Sequence, residues 1–352
     1  MKKKLIEHII EKRITSLAII GLAKNAGKTV TFNQLISEAD DKGLKLALLS
    51  YGRDGEEIDA VTRQKKPRIY IPAYQILGTA EKAYDSSELE GDLLAHTGLH
   101  TLLGEVNLYQ VGPAGGYIEL VGINSAAKLQ QVKRLLPPDI DLVMIDGAID
   151  RRSSAMPSLV EGIILATGAV VGNSEQLVIK RTLSAINKLT RPAVKDQVLL
   201  TKVDQLWTEH SVGLLVENEQ LLPLQARTSL TGIGELKEIL SEIRPAKITA
   251  IILGGALVDT FAEELIYSLK IKNCQLVVRD GTRIFLNKRN LNLLVNNNID
   301  LKVLDSIELL AVTVNPYSPY QASLDSAVIV KQLREHLPDI PVYDVLSTEY
   351  EH

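Results

Sequence analysis

Cysteine is nearly absent. Cys274 is the only one in 352 residues, which excludes an intrachain disulfide and any metal site built from a cysteine cluster. The simplest home for such a chain is a reducing cytoplasm. Aromatic residues make up only 4% of the sequence, so its cores must be aliphatic. Long apolar runs are missing as well: the most apolar later stretch, Gly162 to Val171, falls well short of the roughly 20 residues that a membrane-spanning helix needs. The basic start, Met1 to Lys4, leads into Glu7, His8, Glu11, Lys12 and Arg13, so no uninterrupted signal-peptide core follows. A net charge of −4 gives no support for general nucleic-acid binding. Neither a membrane nor a nucleic acid is an expected partner.

The rest of the composition is that of an ordinary globular protein, 45% hydrophobic and 23% charged. The length exceeds the usual size of one domain, and two are expected. Aliphatic strand segments alternate with helical ones, the pattern of an α/β fold with a mainly parallel sheet. The pattern restarts at Ile248 after Pro245, so the sequence predicts a nucleotide-binding domain over 1–245 and a smaller α/β domain over 246–352.

The strongest motif is GLAKNAGKT, Gly21 to Thr29, after the apolar strand segment Leu17 to Ile20. It reads as a P-loop wrapping the phosphates of a nucleoside triphosphate, ATP or GTP. Small residues let the backbone N–H groups of Lys24, Asn25, Ala26 and Gly27 point at phosphate oxygens, and the following helix adds its positive end. Lys28 would reach the β- and γ-phosphates, and Thr29 would hold Mg²⁺. The first glycine, Gly21, stands one residue earlier than in GxxxxGK[ST]; Leu22 occupies the usual place. This stretched loop resembles those of dethiobiotin synthetase and the cobyrinic acid amidating synthases, a P-loop class that also contains metallochaperone GTPases.

A second signal is LVMIDGAID, Leu142 to Asp150, an apolar strand ending in Asp146 and Gly147. Such a carboxylate can orient Mg²⁺ directly or through water, which makes Lys28 and Asp146 the candidate catalytic residues. After the strand Leu46 to Ser50 comes YGRDGEEID, on the same rim of a parallel sheet. Asp54, with Glu56 and Glu57, is a candidate for the metal's surroundings or for a switch segment, and reads equally as a solvated acidic turn. A third signal is VLLTKVD, Val198 to Asp204, with the [NT]KxD form by which GTPases recognise guanine. Thr201, Lys202 and Asp204 would form that set; the competing reading is a plain strand end. Leu93 to Leu103 reads as a helix or a loop; as a helix it would put His96 and His100, four residues apart, on one face to bind metal, or else form an ordinary helical surface.

Taken in order, GLAKNAGKTV, YGRDGEE, YIELVGINSAAKL, DLVMIDGAIDRRSSAMP and EGIILATGA are similar to segments of the small subunit of the reactivase for lysine 5,6-aminomutase, over much of Leu17 to Ala169. The resemblance implies a partner ATPase subunit similar to mismatch-repair MutS, and a client aminomutase using adenosylcobalamin and pyridoxal phosphate. It implies phosphoryl transfer to water coupled to release of damaged cobalamin; no residue stands out as a water-orienting group, so intrinsic turnover is expected to be slow without a partner. The alternative is an ATP-dependent ligase of the dethiobiotin or cobyrinate type, although no glutaminase triad is recognisable. A third reading is a regulatory module that binds nucleotide without hydrolysing it.

Overall fold

The computed structural model describes residues 4–51, 68–147, 157–207, 210–226, 228–242, 247–320 and 322–346. They form two compact units, one of residues 1–183 with 308–352 and the other of residues 184–307.

The first unit opens with a short helix α1 (Leu5–Glu11), strand β1 (Ser16–Gly21), helix α2 (Lys28–Asp40) and strand β2 (Leu46–Tyr51). Phe32, Leu35, Ile36 and Ala39 recur at helical spacing and bury one face of α2 against Leu17 and Ile19 of β1 and Leu48 of β2. Glu38 on α2 is buried, and its carboxylate accepts from the Ile6 N–H at 2.9 Å, capping the start of α1. After α2 the chain turns at Gly43, in the left-handed conformation at φ 69° that stops helices.

There follow β3 (Ile76–Ala80), the hairpin β4 (Gly91–Thr101) and β5 (Gly104–Val111), helix α3 (Ala126–Arg134), β6 (Leu142–Gly147), β7 (Gly162–Gly168) and helix α4 (Glu175–Leu189). Residues 69–71 and 116–118 pair separately as a small antiparallel ribbon.

The division between units falls inside α4. The second unit continues with α5 (Gln197–Trp207), β8 (Val212–Val216), β9 (Leu221–Leu224), α6 (Ser229–Glu242), β10 (Ile248–Leu253), β11 (Gln275–Asp280), α7 (Lys288–Asn296) and β12 (Asp300–Asp305). Its sheet has the order β9-β8-β10-β11-β12, with β10, β11 and β12 parallel and the other two antiparallel.

The chain then returns to the first unit with β13 (Glu308–Asn315), α8 (Ser326–His336) and β14 (Val342–Asp344). The completed sheet of that unit has nine strands in the order β14-β13-β7-β1-β6-β2-β3-β5-β4. The strands from β14 to β3 run parallel, and the β4–β5 hairpin is antiparallel. The protein is thus α/β with a large, mostly parallel sheet.

This corrects the expected domain boundary at residue 245. Strands on either side of it, β8 and β10, pair in one sheet, while β13 and β14, expected in a C-terminal domain, complete the first unit's sheet. Restarting periodicity marks a new strand but not the sheet that receives it. Leu93 to Leu103, expected as a helix or a loop, is instead strand β4 and its turn into β5. Gly98 and Gly104 take left-handed φ values of 71° and 98°, and the chain reverses between Thr101 and Gly104.

Cys274 is buried in the second unit's core, and burial pushes its thiol up to about 12. Because the thiolate is the nucleophile, folded protein is expected to react with iodoacetamide on the order of a thousandfold more slowly than denatured protein at the same pH. Similar rates in the two states would contradict this burial.

Candidate functional site

The parallel strands bring the carboxyl ends of β13, β7, β1, β6 and β2 to one rim, where ligands of open α/β sheets bind. At its centre the chain leaves β1 at Gly21 and enters α2 at Lys28.

The intervening loop is held from three sides. Its base is fixed by the Leu22 N–H, which donates to Ala166 O of β7 at 3.0 Å. A tight turn follows, with the Ala26 N–H donating to Ala23 O at 3.3 Å. Asn315, the last residue of β13, donates from Nδ2 to Asn25 O at 3.2 Å. Asn25 and Gly27 both take left-handed conformations, at φ 63° and 97°, so the backbone curves into a concave turn around Ala26. A β-carbon on Gly27 would come within 2.9 Å of Asn315 Cβ, so only glycine fits there.

Lys28 is largely buried, at 9% exposure, and its stem folds back over Gly21: a β-carbon at Gly21 would lie 3.0 Å from Lys28 Cγ. Gly21, one residue early in the sequence pattern, therefore makes the space in which the lysine lies. Thr29 is half-buried at the start of α2. Thr31, one turn on, donates to Gly27 O at 3.0 Å and shares a 2.9 Å hydroxyl contact with Thr313 of β13. The loop is thus anchored to β7 and β13 as well as to its own strand and helix.

Asp146 stands on β6 beside β1, paired in register with Ile19, and is 2% exposed. The structure brings it to the same rim as Gly21, Lys24, Asn25, Ala26, Gly27, Lys28 and Thr29. Among the described residues no group of three or more His, Cys, Asp or Glu is arranged to hold a metal ion. The oxygen donors of Thr29 and Asp146 suit a hard cation that takes its other ligands from phosphate and water. Asp54 lies outside the described residues, as do Arg53, Glu56, Glu57 and Asp150 to Arg152.

The third signal is placed differently. Thr201, Lys202 and Asp204 lie on α5 in the second unit, where a strand end was expected. Leu199, Val203 and Leu206 recur at helical spacing and are buried, and Asp196 caps the helix by accepting from the Val198 N–H at 2.9 Å. Thr201 Oγ1 donates back to Gln197 O at 2.9 Å, and Asp204 is exposed. The strand-to-loop geometry that would present a lysine stem and a carboxylate to guanine is not formed by these residues. On β4, His96 contacts Glu105 Oε2 at 3.0 Å, and the four-residue spacing to His100 no longer defines a helical face. Glu105 is held below the usual carboxylate range by the Gly98 N–H first and by His96 next.

Asn315 is the residue that the sequence reading misplaced. It ends β13, which the expected boundary at residue 245 assigned to the second domain. Comparison with protein-family models, with curated proteins and with solved structures gave no match to this chain.

Proposed function

We propose that the chain is a P-loop protein that binds a nucleoside triphosphate with Mg²⁺ at the turn between β1 and α2 and hydrolyses it slowly. The observation that carries this reading is the Lys28 stem lying across Gly21 beneath a concave turn at the start of a helix. In this role the backbone amides of Lys24 to Thr29 cradle phosphate oxygens, and the Lys28 ammonium neutralises charge at the β- and γ-phosphates. Thr29 and Asp146 would hold Mg²⁺, which supplies charge neutralisation of the phosphoryl group. Asp146 sits on a paired strand rather than a loop, so its carboxylate is placed before any ligand arrives.

The likeness to the aminomutase reactivase extends the proposal to a biological role. Binding and hydrolysis would shift a bistable partner assembly, a MutS-like ATPase subunit with an adenosylcobalamin-dependent aminomutase, toward a state that releases damaged cobalamin. The proposed setting is the cytoplasm. Among the described residues no helix is long and apolar enough to cross a membrane.

Tagged protein incubated with native cell extract and Mg·ATP or Mg·GTP is expected to retain both the partner ATPase and the aminomutase, and Lys28→Ala to retain less. Recovery of neither would contradict the reactivase role. Phosphate release stimulated by a small carboxylic acid, with no protein partner, would instead establish the ligase alternative.

A further inference from the structure

A groove of about 320 Å³ opens on the same rim of the sheet, between the chain leaving β7 and the chain leaving β13. Its walls include Ala169, Gly172, Asn173 and Arg181 on one side and Ser318 and Tyr320 on the other. All of them belong to the first unit.

The segment from Asn315 to Tyr320 leads from the turn into this groove. It begins with Asn315 bonded to Asn25 O, and two local bonds set its path: the Tyr317 N–H donates to Asn315 Oδ1 at 3.1 Å, and the Tyr320 N–H donates to Ser318 Oγ at 3.2 Å. Three residues span at most about 11 Å, so Ser318 in the groove wall lies within the length of a mononucleotide of Asn315. The rim is also polarised. Asp146 stands on β6, on the side of β1 opposite to β7, so Mg²⁺ and the terminal phosphate belong toward β6. The other end of the ligand then runs toward β7 and β13, where the groove lies.

We infer that this groove takes the nucleoside of the bound triphosphate, and that the groove takes the place of Thr201, Lys202 and Asp204 in reading the base. This rests on the phosphate-binding reading above. Tyr320 is 65% exposed at the groove edge and offers a ring face on which a planar base can stack. Arg181 donates one guanidinium N–H to Val171 O, which orients the group at the groove wall. Its other N–H groups meet the acceptor atoms of a base edge, and the Asn173 amide supplies one donor and one acceptor.

The test compares Mg·ATP and Mg·GTP with Mg·tripolyphosphate, a ligand with the same phosphate chain and no nucleoside, by calorimetric titration. Wild-type protein is expected to bind its preferred nucleotide at least tenfold tighter than tripolyphosphate. Tyr320→Ala and Arg181→Ala, both at exposed positions, are each expected to weaken that nucleotide about tenfold and to leave tripolyphosphate affinity within about twofold. Equal wild-type affinity for nucleotide and tripolyphosphate would overturn the inference, as would variants that weaken both ligands alike or neither. Asp204→Ala is expected to change no affinity; a selective loss of GTP binding would return base reading to α5 and overturn the groove assignment. Undiminished binding of every ligand by Lys28→Ala would show instead that the phosphate reading itself is wrong.

Discussion

Lys28→Ala is expected to lower affinity for Mg·ATP and Mg·GTP by roughly a hundredfold, and to remove hydrolysis at any attainable nucleotide concentration. Hydrogen bonds to charged groups contribute about 1.5–3 kcal/mol, and one order of magnitude in affinity corresponds to about 1.4 kcal/mol. Lys28 is the one cationic residue of the turn that is largely buried, at 9% exposure. Lys28→Arg should restore little, because the planar guanidinium is bulkier than the stem lying 3.0 Å from the position of a Gly21 β-carbon. Thermal unfolding should move little in either variant, since Lys28 stands outside the aliphatic cluster that holds α2 to the sheet. Titration with both nucleotides checks the prediction; affinity within twofold of wild type would contradict it.

The second large effect is on stability. At Gly168, where β7 meets β13, an added β-carbon would lie 1.9 Å from Asn315 O, backbone that no rotamer change can move aside. Gly168→Ala must therefore push the two strand ends apart, and a loss of about 4 kcal/mol or more is expected. For a unit of this size that corresponds to a fall in melting temperature of about 10 °C. Gly43→Ala is the matched comparison. Gly43 has φ 69° with nothing within 4 Å of an added β-carbon, so it should cost only the backbone strain, about 1 kcal/mol. Equal losses in the two variants would contradict the close approach of β7 and β13. Any Gly168→Ala protein that folds should also bind triphosphate less well, because Asn315 at that junction holds the loop through Asn25.

Much of the first unit was legible in the sequence because its strands are buried on both faces and read as unbroken aliphatic runs. Leu17 to Ile20, Leu46 to Ser50 and Leu142 to Asp146 all became strands of the parallel sheet. α2 was legible from Lys28 onward, because Gly27 opens it and Gly43 follows its end.

Three features were hidden for different physical reasons. The membership of β13 and β14 in the first sheet depends on pairing across more than a hundred residues, which no local pattern reports. The helix through Thr201, Lys202 and Asp204 was masked by the dense run Val198 to Leu200; the Asp196 cap and the spacing of Leu199, Val203 and Leu206 were the signals for it. The β4 strand was masked because its exposure alternates weakly and it lies at the sheet edge, so neither period dominates. Among the candidate site residues, the turn and Asp146 were proposed from sequence because each lies at the end of one apolar strand. Asn315 was not, because its role exists only once β13 lies beside β7.

The central claim is that the turn from Gly21 to Thr29 wraps the phosphates of a nucleoside triphosphate. Backbone amide hydrogen exchange, measured with and without saturating Mg·ATP or Mg·GTP, tests it at the atoms concerned. The prediction is marked slowing at the amides of Lys24 to Thr29, lost in Lys28→Ala, with little change at Thr201 to Asp204. Saturable nucleotide binding with unchanged exchange across Lys24 to Thr29 would contradict it.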